Sequence, residues 1–260
     1  MQRDSVITST SNNKVKHVRR LQRDRRFRQA QQEFVVEGTR WLQEIARSSR
    51  KPRWTFFTAE WRSAPQEAQL LTSLEAPTFQ VSEGVMAVMS DLETPPGILA
   101  VLPIEHRVLS GARTLLLILD EMRNPGNMGT ILRTAAAAGV DALILGPGCV
   151  DPYNPKVIRG GMGAHLRLPL RQLSWQEIKR ETQGMSVWLA TADGARPYTG
   201  VNWRQPVALI IGSEATGPGP EAREIADDTL YIPMHSDTES LNAAMAAGII
   251  LFEAMRQRRT

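Results

Sequence analysis

The sequence predicts an α/β protein in which a small mixed unit precedes a larger unit built on a parallel sheet. In the first hundred residues, short β-type runs alternate with helical patterns. From residue 114 onward the β-type runs become continuously apolar, which is typical of strands covered on both faces. Between two of these runs, the helix-forming segment 130–138 ends at Gly139 and completes a βαβ unit. We therefore expect domains at 1–105 and 106–260.

The predicted elements of the first domain begin with a basic amphipathic helix over residues 14–28. Its apolar residues Val15, Val18, Leu21 and Phe27 recur at helical spacing, while Arg and Lys fill most other positions. Thr39 could cap a second helix, which is expected to run through Trp41, Leu42, Ile45 and Ala46. The predicted strands are 34–38, 54–58 and 98–102.

The predicted strands of the second domain are 115–119, 142–145 and 207–211. In open parallel sheets, ligands bind beyond the carboxyl ends of strands, so the loops that follow are the first candidates for a site. Three segments qualify: 120–129, 212–219, and 232–234 with the following loop to 240–242.

Composition excludes several classes of protein. With 42% apolar and 22% charged residues the chain is expected to be globular, and no window of about 18 residues is apolar enough for a membrane span. The single cysteine, Cys149, excludes a disulfide framework and a cysteine-rich zinc site, and no metal site is predicted. Residues 1–5 show no secretory pattern, so the expected location is cytoplasmic.

The positive charge is concentrated near the amino terminus. Residues 1–53 hold 14 Lys and Arg against 5 Asp and Glu, whereas the remainder holds 17 against 22. Such a local field suits a polyanion such as RNA, although a solvated helix face would look the same. The candidate RNA-binding residues are Lys14, Lys16, Arg19, Arg20, Arg23, Arg25 and Arg26.

None of the three loops has a phosphate-binding signature. There is no GxxxxGK[ST] and no GxGxxG directly after the first apolar strand, which argues against nucleotide hydrolysis and nicotinamide chemistry. Taken singly, the polar residues also have simple structural interpretations. Asn127 and Ser240 could be helix N-caps, Arg133 a surface arginine and Glu214 a first-turn acid.

Together, however, the three loops resemble the SpoU (TrmH) family of RNA 2′-O-methyltransferases in the SPOUT class. Segments 127–135 (NMGTILRTA) and 211–214 (IGSE) are similar to the family's first two motifs. Segments 232–234 (IPM) and 240–242 (SLN), with the helix to Glu253, are similar to the third. The first domain resembles, less specifically, a ribosomal-protein-like substrate-binding domain. The glycine-rich stretch 159–162 and residues 235–237 depart from the family pattern.

The resemblance implies a trefoil-knotted, parallel-sheet catalytic domain that works as a homodimer and binds S-adenosylmethionine, preceded by a smaller α/β RNA-binding domain. By the same resemblance, the cofactor-binding residues are Thr191, Gly212, Ile232, Leu241 and Asn242. No metal is demanded, because a sulfonium methyl group is already activated.

The resemblance also implies catalytic positions, namely Asn127, Arg133, Glu214, Ser240 and Asn242. The residue that is proposed to activate the acceptor hydroxyl in the family corresponds to Arg133. Because a guanidinium normally keeps its proton, we expect Arg133 to position the phosphate and hydroxyl rather than to act as a base. Ribosomal RNA is the expected substrate. Transfer RNA, a role in antibiotic resistance, and a non-catalytic RNA-binding protein that retains the knotted fold remain alternatives.

Overall fold

The computed structural model describes residues 6–105, 113–213, 217–235 and 240–259. These residues form two compact units. The first combines the described residues up to Glu105 with Tyr153–Arg159, and the second contains the others. In the described ranges, no helix combines the length and apolar character needed to cross a membrane.

The first unit alternates short helices and strands, as expected. Its elements in chain order are α1 (Asn13–Arg23), α2 (Arg25–Gln31), β1 (Glu33–Glu37), α3 (Thr39–Ala46), β2 (Trp54–Phe57), α4 (Ala59–Arg62), α5 (Pro65–Ser73), β3 (Thr78–Gln80), α6 (Glu83–Met89) and β4 (Ile98–Pro103). The prediction that Thr39 caps the second helix is wrong, because that helix begins at Thr39 itself and Gly38 holds the cap position.

The prediction of one continuous helix over 14–28 is wrong, because the chain breaks at Asp24. Asp24 has an extended backbone conformation, ends α1, and caps α2 by accepting a hydrogen bond from the Phe27 amide at 3.1 Å. Aspartate competes for local backbone donors in this way, which favours a cap over a helix interior. The break turns Arg28 inward, where its Nη1 donates to the Leu21 carbonyl at 2.6 Å.

The sheet of the first unit has the strand order β1-β4-β2-β3 within the described residues. Strand β4 pairs antiparallel with β1 and β2, while β2 and β3 are parallel. One face of α1 packs on this sheet, with Val15, Val18 and Leu21 buried against Phe56 and Leu99. This packing leaves the basic side of α1 for other contacts.

The elements after residue 113 alternate along the chain between strands and helices. They are β5 (Leu115–Leu119), α7 (Pro125–Ala138), β6 (Ala142–Leu145), α8 (Pro155–Gly161), β7 (Leu170–Gln172), α9 (Trp175–Glu181), β8 (Ser186–Ala190), β9 (Arg196–Pro197), β10 (Val207–Ile211), α10 (Pro220–Ile225), β11 (Asp228–Tyr231) and α11 (Ala243–Arg259). The three apolar runs are strands β5, β6 and β10, which confirms that prediction.

The second sheet is parallel throughout its described strands, in the order β7-β6-β5-β10-β8-β11-β9. The register aligns Leu119 with both Leu145 and Ile211, and Ile211 with Ala190. The carboxyl ends of four neighbouring strands therefore meet at one edge. Helices α7 and α11 pack against each other.

The glycine-rich stretch 159–162 is explained by close packing within the second unit. A Cβ atom on Gly160 would lie 3.1 Å from the Gly129 Cα in α7, and one on Gly161 would lie 2.8 Å from the Cε1 of His165. Both positions leave little or no space for a side chain. His165 itself is buried and hydrogen-bonds through Nε2 to the Pro152 carbonyl at 2.8 Å.

Candidate functional site

The polar segments singled out in the sequence follow strands whose carboxyl ends are aligned. Thr191 follows β8, Gly212 follows β10, and Ile232 follows β11. Because these strands lie side by side, segments about twenty residues apart in the chain reach one edge of the sheet. The beginning of α11 reaches the same place.

A cavity of about 600 Å³ opens at this edge. Its volume lies within the range of roughly 300–1,000 Å³ usual for small-molecule sites. The described lining is mainly apolar and backbone, with few polar side chains. The lining residues are Ala190, Thr191, Ala192, Asp193, Ile211, Gly212, Ser213, Gly217, Pro218, Arg223, Leu230, Tyr231, Ile232, Met234, Ser240, Leu241, Ala243, Ala246 and Ile250.

The structure places four of the five expected cofactor-binding residues in this lining: Thr191, Gly212, Ile232 and Leu241. The fifth, Asn242, does not line the cavity. Its Oδ1 instead accepts hydrogen bonds from the amides of Ala244 and Met245, so Asn242 caps the start of α11.

The Thr191 side chain provides an orphaned polar atom at the cavity wall. Its Oγ1 is buried and has no hydrogen-bond partner among the described residues. A buried hydroxyl without a partner costs free energy, so such an atom is ordinarily satisfied by water or a ligand. Because Thr191 also belongs to the cavity lining, its hydroxyl is a candidate hydrogen-bonding group for a ligand there.

Only two of the described lining residues are charged, and they have opposite signs. Asp193 lies just beyond β8 and Arg223 lies in α10. Both are exposed, and within the described residues neither forms an ion pair. Neither residue was predicted from the sequence. Asp193 follows a strand that is only partly apolar, and Arg223 lies outside the matched motifs.

Two of the expected catalytic residues contact each other directly. The Asn242 Nδ2 donates to the Oδ1 of Asn127 at 3.1 Å. The interpretation of Asn127 as a helix N-cap is wrong, because Asn124 performs that function by accepting from the amides of Gly126 and Asn127. The side chain of Asn127 is therefore available to join α7 to the start of α11.

The other expected catalytic residues lie in different surroundings. Ser240 lines the cavity, and the capping of α11 belongs to Asn242 rather than to Ser240. Arg133 is exposed on α7, lies outside the cavity lining, and makes no ion pair within the described part of the chain. Glu214 lies outside the described residues.

A buried carboxylate joins two of the loops at the sheet edge. Asp120 directly follows β5 and is 2% exposed, and its Oδ2 accepts a hydrogen bond from the Gly219 amide at 2.7 Å. Burial raises the pKa of the Asp120 carboxyl, the Gly219 hydrogen bond opposes this effect, and the nearby charges of Glu121 and Glu221 raise it further. Asp120 lies in the predicted candidate loop 120–129, but no function was predicted for it.

The candidate RNA-binding residues lie on α1 and α2 or at their junction. Lys16, Arg20, Arg23, Arg25 and Arg26 are exposed, and Lys14 and Arg19 are partly buried. Within the described residues none of the seven forms an ion pair with an acid. The Lys14 ammonium lies 4.9 Å from the ring centroid of Phe79, and the Arg20 guanidinium lies 3.9 Å from that of Phe27. These aromatic contacts leave the charge unneutralised.

No group of three or more His, Cys, Asp or Glu residues in the described ranges is arranged to hold a metal ion.

Comparison with known proteins matches both units to families. The SpoU rRNA methylase family matches residues 114–252, and the MRM3-like substrate-binding domain matches residues 12–100. The chain is 32% identical to the Bacillus subtilis 23S rRNA (guanosine(2553)-2′-O)-methyltransferase RlmP, over 95% of this chain and 97% of that protein. It is 35% identical to an uncharacterised tRNA/rRNA methyltransferase of Synechocystis, over 97% and 94%.

A solved structure has the same fold over almost the whole chain. The SpoU methyltransferase AviRb of Streptomyces viridochromogenes, crystallised in complex with AdoMet, superposes with a TM-score of 0.86 at 26% identity, covering 96% of this chain and 99% of that one. The chain belongs to the SpoU rRNA methylase family. The family expectation from the sequence is confirmed.

Proposed function

We propose that the protein transfers a methyl group from S-adenosylmethionine to a ribose 2′-hydroxyl of ribosomal RNA. The observation that carries this proposal is the cavity at the sheet edge, which is lined by residues of the second and third family motifs. The relatives support the substrate, because RlmP is a 23S rRNA (guanosine-2′-O)-methyltransferase. AviRb supports the cofactor, because its structure contains AdoMet.

The cavity fits S-adenosylmethionine in size and chemistry. Ile232, Leu241 and the backbone around Gly212 offer apolar contacts and backbone groups for an adenine ring, and Thr191 offers an unpartnered hydroxyl. Asp193 and Arg223 carry the charges opposite to the ammonium and carboxylate of the cofactor's amino-acid part. When bound, the cofactor supplies a methyl group that is already activated by its sulfonium.

The chain's own residues must then hold the acceptor hydroxyl in line with the methyl group. Proximity and orientation alone can lower the barrier by several kcal/mol. In the proposed arrangement Asn127 and Asn242 form one polar unit through their hydrogen bond, and Ser240 lies at the cavity wall. Arg133 holds an RNA phosphate and the hydroxyl, which suits a guanidinium that keeps its charge. Glu214 assists in positioning these groups.

The first domain, proposed to span 1–105, binds the RNA substrate through the basic residues of α1 and α2. Their charges have no acidic partners within the described residues, so phosphates can replace counterions there. The match of residues 12–100 to a substrate-binding domain supports this assignment. The catalytic domain, proposed to span 106–260, contains the whole cavity lining.

The proposed assembly is a cytoplasmic homodimer with a trefoil knot in the catalytic domain. Family membership supports the knot and the dimer, and an RNA substrate in the ribosome supports the location. A further observation favours a dimer. Met245 and Phe252, which are 59% and 46% exposed, lie seven residues apart on α11 and therefore on one face of it.

The test is methyl transfer to defined RNA. Purified protein is incubated with labelled S-adenosylmethionine and with 23S rRNA, 16S rRNA or total transfer RNA, and methylated riboses are mapped by mass spectrometry. Label at one 2′-oxygen of 23S or 16S rRNA supports the proposal. Label confined to transfer RNA would instead support the transfer RNA alternative, and cofactor binding without transfer to any RNA would support the non-catalytic one.

A further inference from the structure

The loop after β10 supplies Gly212, Ser213, Gly217 and Pro218 to the cavity lining. Its two described ends lie against each other. The Gly217 amide donates to the Ser213 carbonyl at 3.0 Å, and a Cβ atom on Gly212 would lie 2.6 Å from the Pro218 nitrogen. These contacts hold the two described ends of the loop together, but they do not connect Gly219 to the sheet.

The carboxylate of Asp120 makes a connection from the sheet to the far end of this loop. Asp120 extends β5, since its amide donates to the Ile211 carbonyl at 2.9 Å. Its Oδ2 accepts from the Gly219 amide, 99 residues away in the chain, at 2.7 Å. Asp120 thus contacts the last residue of β10 and the end of the loop that follows it.

The Asp120–Gly219 hydrogen bond requires a buried carboxylate, which lowers the stability of the folded state. This argues against a purely structural function for Asp120. Asp120 is almost fully buried, and two other carboxylates, Glu121 and Glu221, lie near it. Since burial favours the neutral form, an ionised carboxylate here lowers the stability of the folded state relative to a neutral group of the same shape. Asparagine would offer the same acceptor without the charge.

We infer that Asp120 is a positioning residue that holds Gly219, and with it the neighbouring Gly217 and Pro218, in the position that binds the cofactor. The inference rests on the proposed function of the cavity. A hydrogen bond to a charged acceptor is stronger than one to a neutral acceptor, so the carboxylate holds Gly219 more firmly than an amide would. Firm placement of Gly219 keeps Pro218 and Gly217 at the cavity wall.

The variant Asp120→Asn tests this inference, with Asp141→Asn as the matched control. Asp141 is another carboxylate that accepts backbone amides, from Thr114 at 2.7 Å and Leu115 at 2.9 Å. It lies at the amino end of β6, at the opposite edge of the same sheet from the cavity. Both substitutions replace a carboxylate acceptor of backbone amides by an amide, and they act at opposite edges of the sheet.

The measurements are the Kd of S-adenosylhomocysteine by calorimetry, the melting temperature of the free protein, and KM for S-adenosylmethionine against kcat. We expect Asp120→Asn to weaken S-adenosylhomocysteine binding roughly tenfold and to raise KM, with an unchanged or higher melting temperature. Asp141→Asn should lower the melting temperature and leave Kd unchanged.

Two results would overturn the inference. One is a Kd of Asp120→Asn within twofold of the wild type. The other is weaker binding accompanied by a fall in melting temperature as large as that of Asp141→Asn, since this would make Asp120 merely structural. If the wild-type protein itself binds no S-adenosylhomocysteine, the proposed function fails first and the inference fails with it.

Discussion

The side-chain amide of Asn242 links two motifs that are 115 residues apart, because its Nδ2 donates to the Oδ1 of Asn127 at 3.1 Å. The same Asn242 caps α11 through its Oδ1. One side chain therefore fixes the start of α11 and orients Asn127 on the neighbouring helix α7. In the proposed enzyme, this arrangement sets the polar groups of the acceptor site before RNA binds.

Replacing Arg133 should separate catalysis from cofactor binding. Arg133 lies outside the cavity lining, so Arg133→Ala should abolish methyl transfer while S-adenosylhomocysteine binds with the wild-type Kd. Arg133→Lys keeps the positive charge but lacks the planar guanidinium with its paired N–H donors, and should retain part of the activity. Single-turnover transfer and calorimetry measure the two effects. Equal loss of affinity and turnover would place Arg133 in the cofactor site instead.

Removing the orphaned hydroxyl of Thr191 should have opposite effects on stability and on binding. Thr191→Val eliminates a buried polar atom without a described partner, so the free protein should melt at the same or a higher temperature. Binding of S-adenosylhomocysteine should weaken roughly fivefold, since a neutral hydrogen bond contributes about 1 kcal/mol.

Thr55 provides the matched control for Thr191. Its Oγ1 is also buried without a described partner, but it belongs to β2 in the first unit. Thr55→Val should affect melting in the same way and leave the Kd unchanged. An unaltered Kd in Thr191→Val would show that the hydroxyl does not contact the cofactor.

Charge reversal on the basic helices should reduce RNA affinity and its dependence on salt. Exchanging Arg19, Arg20, Arg25 and Arg26 for Glu removes cations that neutralise phosphates. The slope of log affinity against log salt should therefore become shallower by about one for each phosphate that is no longer neutralised. Filter binding of ribosomal RNA fragments at several salt concentrations measures this slope.

Arg47→Glu serves as the control for the basic surface, because Arg47 is exposed in the same unit but lies outside α1 and α2. It should leave the salt slope unchanged. Arg28 is unsuitable for charge reversal, since it is buried and donates to main-chain carbonyls at the end of α1. A flat salt dependence in the wild-type protein would contradict an RNA-binding function for this surface.

Folding stability should fall in mild acid because of His165. Burial lowers its pKa to about 4, so between pH 6.5 and 4 the unfolded chain takes up a proton that the folded protein does not. The neutral imidazole thus contributes stability that is fully present above pH 6.5 and decreases as pH falls towards 4. From pH 7 to pH 5 the loss should be about 2 kcal/mol.

Urea unfolding of wild type and His165→Gln at both pH values isolates this contribution, since glutamine does not titrate and can still donate to the Pro152 carbonyl. The difference in unfolding free energy between pH 7 and pH 5 should be smaller in the variant. Identical pH dependence in the two proteins would mean that the pKa of His165 is the same in the folded protein as in the unfolded chain.

The exposed apolar face of α11 should govern assembly. Phe252→Asp places a charge on the face of α11 that carries Met245 and should convert a dimer into a monomer in sedimentation equilibrium. Val6→Asp changes another exposed apolar residue, in the first unit, and should leave the assembly unaltered. A wild-type monomer would remove the homodimer from the proposal.

The strands of the catalytic unit and the edge on which its site lies could be predicted from the sequence. The runs 115–119, 142–145 and 207–211 are apolar at every position because both faces of a parallel sheet are covered. Polar segments directly after such runs mark the carboxyl edge, and four expected cofactor residues do lie at the cavity. The expected cofactor and catalytic residues came from the resemblance to the family motifs, because hydrophobic periodicity alone does not indicate a reaction.

Tertiary structure decided what depends on partners distant in the chain. Arg28 has the same local pattern as its basic neighbours, and only the break at Asp24 turns it into the protein. In the sequence, Asp120 is only an acidic residue in a loop. In the folded protein, its carboxylate accepts a hydrogen bond from Gly219, which lies 99 residues later in the chain. Local patterns report burial and helix or strand type, because these depend on neighbouring residues, whereas the partner of a buried charge is set by how the strands are ordered in the sheet.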